Sequence, residues 1–152
     1  MNRRIVLALL AGAASGCGGE EDEPPTEYIA AKQRWSAAAH MNYHFTLTRS
    51  CFCLAEGPIE VQVRQGAIAS ARFSDSGTSV SPLRLAALMT LSGLFDLADS
   101  AYAQKVAAVR FSAHPTHGYL ESLFIDYHAD TADDEIGYAV MNFAVDTISA
   151  DT

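Results

Sequence analysis

Positive charge is scarce in this chain. It has 10 Lys and Arg against 18 Asp and Glu, a formal net charge of −8 over 152 residues. Nucleic acid is excluded as a partner, because nothing supplies the cationic footprint that phosphates demand. The chain also lacks a Gly-rich phosphate loop, a Gly-x-Ser-x-Gly elbow and a His-Glu-x-x-His pair, so the common nucleotide-binding and hydrolase signatures are missing. Cysteine is sparse, with 3 residues, too few for a framework of several disulfides. Apolar residues are plentiful at 49%, against 18% charged. A core can therefore be buried, wholesale disorder is excluded, and the length suits one domain.

The N-terminus reads as an export address. Arg3 and Arg4 precede an apolar run over residues 5–11, too short to span a bilayer as a helix. The small residues Ala14-Ser15-Gly16 then lead into Cys17 and resemble the bacterial lipobox, whose Cys is acylated and becomes the new N-terminus. The bland alternative is an ordinary cleaved signal that leaves Cys17 as a spare thiol. The acidic Gly/Pro tether over residues 18–25 favours the lipoprotein. The expected division is a signal peptide at 1–16, a tether at 17–25 and one domain at 26–150. Cys17 would carry acyl chains of the palmitate class. Contact with the bilayer should be through lipid alone, since an acidic body is repelled by anionic headgroups. Gly18 favours an outer membrane facing the periplasm in a diderm, and the outer face of the plasma membrane otherwise.

Periodicity orders the rest. Tyr28, Ala31, Lys32 and Trp35 recur at helical spacing, predicting a helix over 26–39 with Thr26 as N-cap and residues 40–42 as its stop. Tyr43, Phe45 and Leu47 alternate with polar residues and predict a strand that runs into Cys51-Phe52-Cys53. Ile59, Val61 and Val63, the turn Gln65-Gly66 and the return 68–73 predict a hairpin. A short helical turn over 82–89 and an amphipathic helix over 90–104 follow. Strands are expected over 106–112, 120–127 and 136–145, with a loop at 114–118 and an acidic turn at 130–135. The fold class is α+β: an antiparallel sheet of about six strands, order α-β-β-β-α-β-β-β, with two main helices on one face. The halves look faintly alike, which suggests a duplicated αβββ unit.

These residues carry a likeness. Arg34-Trp35, Tyr43-His44-Phe45-Thr46-Leu47, Arg49-Ser50-Cys51-Phe52-Cys53, Pro58-Ile59, Gly66, Leu94-Phe95, Gly118-Tyr119, Ile125-Asp126 and Asp134-Glu135-x-Gly137-Tyr138 together resemble the DUF6174 family of uncharacterised bacterial lipoproteins. The resemblance implies a small extracytoplasmic α+β domain and no particular activity.

Candidate chemistry is limited. Cys51 and Cys53 should bond to each other in an oxidising compartment, which requires a bend or bulge in the strand. The bond either fixes the strand's exit or serves thiol exchange, and the structural role is preferred because a redox pair is usually Cys-x-x-Cys at a helix start. His40 and His44 have i,i+4 spacing but straddle the helix–strand junction. His114 and His117 flank a Pro and are expected to be solvated, so no metal site is assigned. The acidic turn around Asp126, Asp130, Asp133, Asp134 and Glu135 lacks calcium-loop spacing, and Asp134 or Glu135 should bond backbone. Most aromatics fall at core spacing, and any on the free face of the sheet would form a binding surface. No catalytic residue and no cofactor is assigned. The expectation is a non-enzymatic binding or interaction module, of unknown protein or small-molecule partner, held at the cell envelope by lipid. The alternatives are a thiol-redox accessory using Cys51 and Cys53, and a purely structural envelope protein.

Overall fold

The computed structural model describes residues 23–53, 57–131 and 133–147. The expected signal peptide, Cys17 and most of the tether lie outside the described residues, as do residues 148–150.

Helix α1 spans Thr26–Ala38 and buries Tyr28, Ala31 and Trp35, a stripe at helical spacing. Its N-cap is Pro25, not the expected Thr26, and no side chain caps it. Pro lacks an N–H, so it sits at this end without leaving a donor unpaired, and Thr26 becomes the first helical residue. The helix stops at Ala39 in a left-handed conformation, φ 49°. Strand β1 (Tyr43–Cys51) follows, then the hairpin β2 (Ile59–Arg64) and β3 (Ala67–Phe73). Gln65 and Gly66 both take positive φ, 52° and 78°, the combination that matches a two-residue turn to strand twist. Helix α2 (Pro82–Ala86) is capped by Ser81, and helix α3 (Leu91–Gln104) by Thr90, whose hydroxyl accepts from the Gly93 N–H at 3.1 Å. Strands β4 (Ala108–Ala113), β5 (Leu120–Asp126) and β6 (Ile136–Val145) complete the fold.

All six strands form one sheet, order β3-β2-β1-β6-β5-β4, every pairing antiparallel. The expected α+β class, strand number and element order are all present. The duplicated unit is not. Corresponding strands of the two halves keep their order across the sheet but run in opposite directions. A rotation that does this also turns the unit over, placing the helices on opposite faces. Here α1 and α3 lie together on one face: Trp35 Nε1 donates to Ser92 Oγ at 3.0 Å, and the Tyr28 hydroxyl reaches the Phe95 carbonyl at 3.0 Å and Asp99 Oδ1 at 2.7 Å. Lys32 pairs with the same Asp99 carboxylate.

Beneath the helices the sheet contributes Phe45, Leu47, Val61, Val63, Leu123, Ile125 and Val140 to a single core. Tyr28, Leu91, Leu94 and Phe95 close it from above. Burying each of these large side chains contributes about 1.5–3 kcal/mol. Among the described residues, no helix covers the other face of the sheet.

Candidate functional site

The uncovered face inherits the polar half of each alternating strand. Over β1, β2 and β3 it bears His44 and Thr46, Glu60 and Gln62, and Ser70 and Arg72. Two register shifts deform this half. One lies between His44 and Thr46 where β1 meets β6, the other between Gln62 and Val63 where β2 meets β3. Such bulges bend and twist a sheet. The result is a trough of about 520 Å³ lined by Thr46, Gln62, Ser70, Ser79, Asn142 and the Glu60–Arg72 pair among others, within the size range of small-molecule sites.

The polar groups of the trough are organised. Asn142 sits in the β6 bulge with φ 54°, a conformation Asn tolerates better than most residues. Its Nδ2 donates to Thr46 Oγ1 at 3.2 Å, and Thr46 is buried at 6% exposure. Ser70 Oγ donates to Gln62 Oε1 at 3.3 Å, and the Arg72 guanidinium pairs with Glu60 at 2.6 Å. At one end Asp146 takes His44 Nδ1 at 2.7 Å and also pairs with Arg64. Desolvation pushes the Asp146 carboxyl upward, but hydrogen bonds from Arg64 and His44, with their charges, hold it below the usual carboxylate range. The charged walls are thus mutually neutralised, while hydroxyls and amides remain as the recognition groups.

The other half of this face is less polar. Arg110 lies over the Phe124 ring at 4.9 Å. Of the aromatics expected in the core, Phe124 is the one that faces outward here. A shallow depression joins it to Ser50, Cys51, Phe52 and Gly137. Cys51 and Cys53 are bonded, with Cα atoms 5.2 Å apart, and the chain bends at Phe52 and Cys53 as the spacing required. Phe52 is left 80% exposed between them. Arg49 Nη2 lies 3.7 Å from Cys53 Sγ.

The histidines are redistributed. His40 sits in the turn after α1 and His44 on β1, so the i,i+4 spacing is not helical, as expected. His114 and His117 are less solvated than expected. Both are half-buried, in a cluster that includes His40, Trp35, Tyr119 and Phe143. The loop is drawn in because Gly118, with φ 81°, lets its backbone lie directly on α1. His114 Nδ1 accepts from the backbone N–H groups of Thr116 and His117 at 3.2 and 3.1 Å, so it is not free to bind an ion. In the acidic turn, Asp134 takes a side chain, His128 Nδ1 at 2.6 Å, in place of the expected backbone. Among the described residues no group of three His, Cys, Asp or Glu is placed to hold a metal ion.

Asn142 and the buried Thr46 were not singled out by sequence reasoning. An Asn inside an otherwise β-prone run is the signal that would have found the bulge, since Asn is depleted in regular strands and tolerates positive φ.

The fold and its exposed face define an α+β domain with a helix-covered sheet and a free polar surface. The chain belongs to DUF6174, a family of unknown function, whose model matches residues 27–145. Neither a curated protein nor a solved structure matches it.

Proposed function

We propose that this protein is a non-enzymatic binding module, anchored to the cell envelope through lipid on Cys17, whose ligand occupies the trough on the free face of β1–β3. The trough's own chemistry supports this reading above all. Its charges are paired with one another, and beside them lie neutral hydroxyls and amides that bond only among themselves, Asn142 with Thr46 and Ser70 with Gln62, with Ser79 at the rim. A charged ligand would have to break an existing pair, whereas a neutral hydroxyl-rich molecule such as an oligosaccharide exchanges hydrogen bonds without doing so. Calorimetric titration with neutral and with anionic oligosaccharides tests this. Binding of a neutral ligand, weakened about tenfold by Gln62→Ala, supports the proposal. Preference for the anionic series, or indifference to Gln62→Ala, overturns it.

The anchor is tested separately. Cys17→Ser should abolish acylation and move the protein out of the detergent phase, and equal partitioning of the two forms would end the lipoprotein reading.

A second reading rests on the Arg49–Cys53 contact. A guanidinium beside a sulfur stabilises the thiolate that leaves during thiol–disulfide exchange. As a redox accessory, the protein would exchange with a reduced protein dithiol faster than a small-molecule disulfide does, and Arg49→Gln would slow it. Exchange no faster than the small molecule removes this alternative.

A further inference from the structure

The histidine cluster has no part in the trough, yet one strand joins them. His40 comes from the turn after α1, and His114 and His117 come from the loop between β4 and β5. The His40 and His117 rings lie 5.6 Å apart and the His114 and His117 rings 5.0 Å apart. Phe143 packs against both His40 and His117, with centroids at 5.8 and 5.1 Å. Phe143 follows Asn142 directly in the β6 bulge. Asn142 lines the trough on one face while Phe143 meets the histidines on the other.

The cluster offers its imidazoles little that would hold a positive charge. His40 Nε2 is buried without a hydrogen-bond partner. His114 Nδ1 already accepts two backbone N–H groups, so a proton there would point a third donor at them. Among the described residues no carboxylate pairs with any of the three. Of the charged groups beside the loop, Arg34 on α1 has its Cβ close to Gly118, and the charge of Glu121 on β5 acts on Tyr119. The remaining neighbours, Trp35, Tyr43, Tyr119 and Phe143, are aromatic. His44 and His128 stand in contrast: each is exposed and faces a carboxylate, Asp146 and Asp134.

We infer that His40, His114 and His117 form an acid-sensitive latch. Neutral, they hold the β4–β5 loop on α1 and against the β6 bulge; protonated, they release the loop and loosen Asn142 at the trough's edge. Imidazole is the side chain whose ordinary titration range spans mildly acidic pH. Burial, and then the charge of His117, push the His40 imidazole below its usual value. The sign follows from linkage. A histidine depressed in the fold favours the folded state above its unfolded value, near 6.5, and that contribution is lost as pH falls below it. The latch regulates the trough only if the trough is the binding site, but the latch itself is read without any ligand.

The sole tryptophan supplies the readout, because Trp35 lies 5.3 Å from His40 and an imidazolium quenches indole emission. The exported protein is taken from about pH 7.5 to about pH 5. We expect quenched Trp35 emission, faster amide exchange at Thr116, His117 and Gly118, and a Tm lower by about 5 °C. The double variant His40→Gln/His117→Gln should lose all three responses, and His44→Gln/His128→Gln should keep them. An unchanged response in the first variant, or none in the wild type, overturns the latch. Should the first variant not fold, NMR titration of the wild type decides. Imidazole resonances of the three histidines should move together with the loop amides and the Asn142 side-chain amide. Histidines that titrate while the loop and Asn142 stay fixed refute the inference, whatever ligand the trough does or does not bind.

Discussion

Gly118→Ala is the sharpest perturbation of the packing that seats the β4–β5 loop. Two separate costs are visible at this position. The first is conformational: φ is 81°, where an L side chain costs about 1–2 kcal/mol. The second is steric. A Cβ here would lie 2.5 Å from the Ala31 carbonyl oxygen, 2.8 Å from Arg34 Cβ and 2.9 Å from the Trp35 nitrogen. Two of the three are helix backbone, which cannot yield as the tip of a flexible side chain could. The loop must therefore lift, carrying Tyr119 and Leu120, buried at 6% and 0% exposure, away from their contacts. Overpacking of this kind adds about 1–3 kcal/mol, for a total of about 2–5 kcal/mol. Gly77→Ala separates the two costs, since Gly77 also has positive φ, 67°, but nothing within 4 Å of an added Cβ. It should lose only the conformational part. Urea denaturation followed by circular dichroism measures both variants, with unchanged slope required for comparison. If Gly118→Ala is no more destabilising than Gly77→Ala, the docking of this loop on α1 is wrong.

Three further outcomes follow from the same structure. Replacing Cys51 and Cys53 with Ser should leave a folded domain about 1–3 kcal/mol less stable, because the closed loop is tiny; mass spectrometry of alkylated, unreduced wild type should show no free thiol in the Phe52 peptide. Tyr28→Phe leaves the buried Phe95 carbonyl and the Asp99 carboxylate without its hydroxyl, and should cost about 1–2 kcal/mol in urea midpoint analysis. Asp146, depressed by Arg64 and His44, contributes stability that is present above its unfolded value, near 3.9, and is lost as pH falls through its lower folded value. Asp146→Asn should therefore flatten the acid limb of the stability profile measured by thermal melts at successive pH values.

Local order was legible in the sequence wherever one element's pattern settles its own structure. Tyr43, Phe45 and Leu47, or Ile59, Val61 and Val63, alternate because one face of the sheet is buried, so strand and facing come together. Gln65-Gly66 marked the hairpin through turn chemistry that acts over a few residues, and apolar spacing marked α3, while the cap expected at Thr26 falls on Pro25 instead. The strand order was less accessible. The β1–β6 pairing that joins the halves closes nearly the whole chain, and no local pattern in Tyr43–Cys51 or Ile136–Val145 names its partner. The same distance hid the histidine cluster. His40 was weighed against its neighbour His44 in sequence, whereas its neighbour in space is His117, brought there by a loop whose seat depends on Gly118. The trough was legible only as polar alternation on a free face. Its concavity comes from bulges at β1–β6 and β2–β3, and a bulge depends on pairing as much as on composition.

On the function proposed above, the free face of β1–β3 is where this protein binds its ligand. NMR titration of the isotopically labelled protein with neutral oligosaccharides decides this, because Gln62 and Asn142 carry side-chain amides inside the trough. Saturable shifts are expected at those two amides and at the backbone of Thr46 and Ser70, with Phe52 unmoved. Shifts confined to the Phe52 tip, or no shift at any ligand concentration, would contradict it.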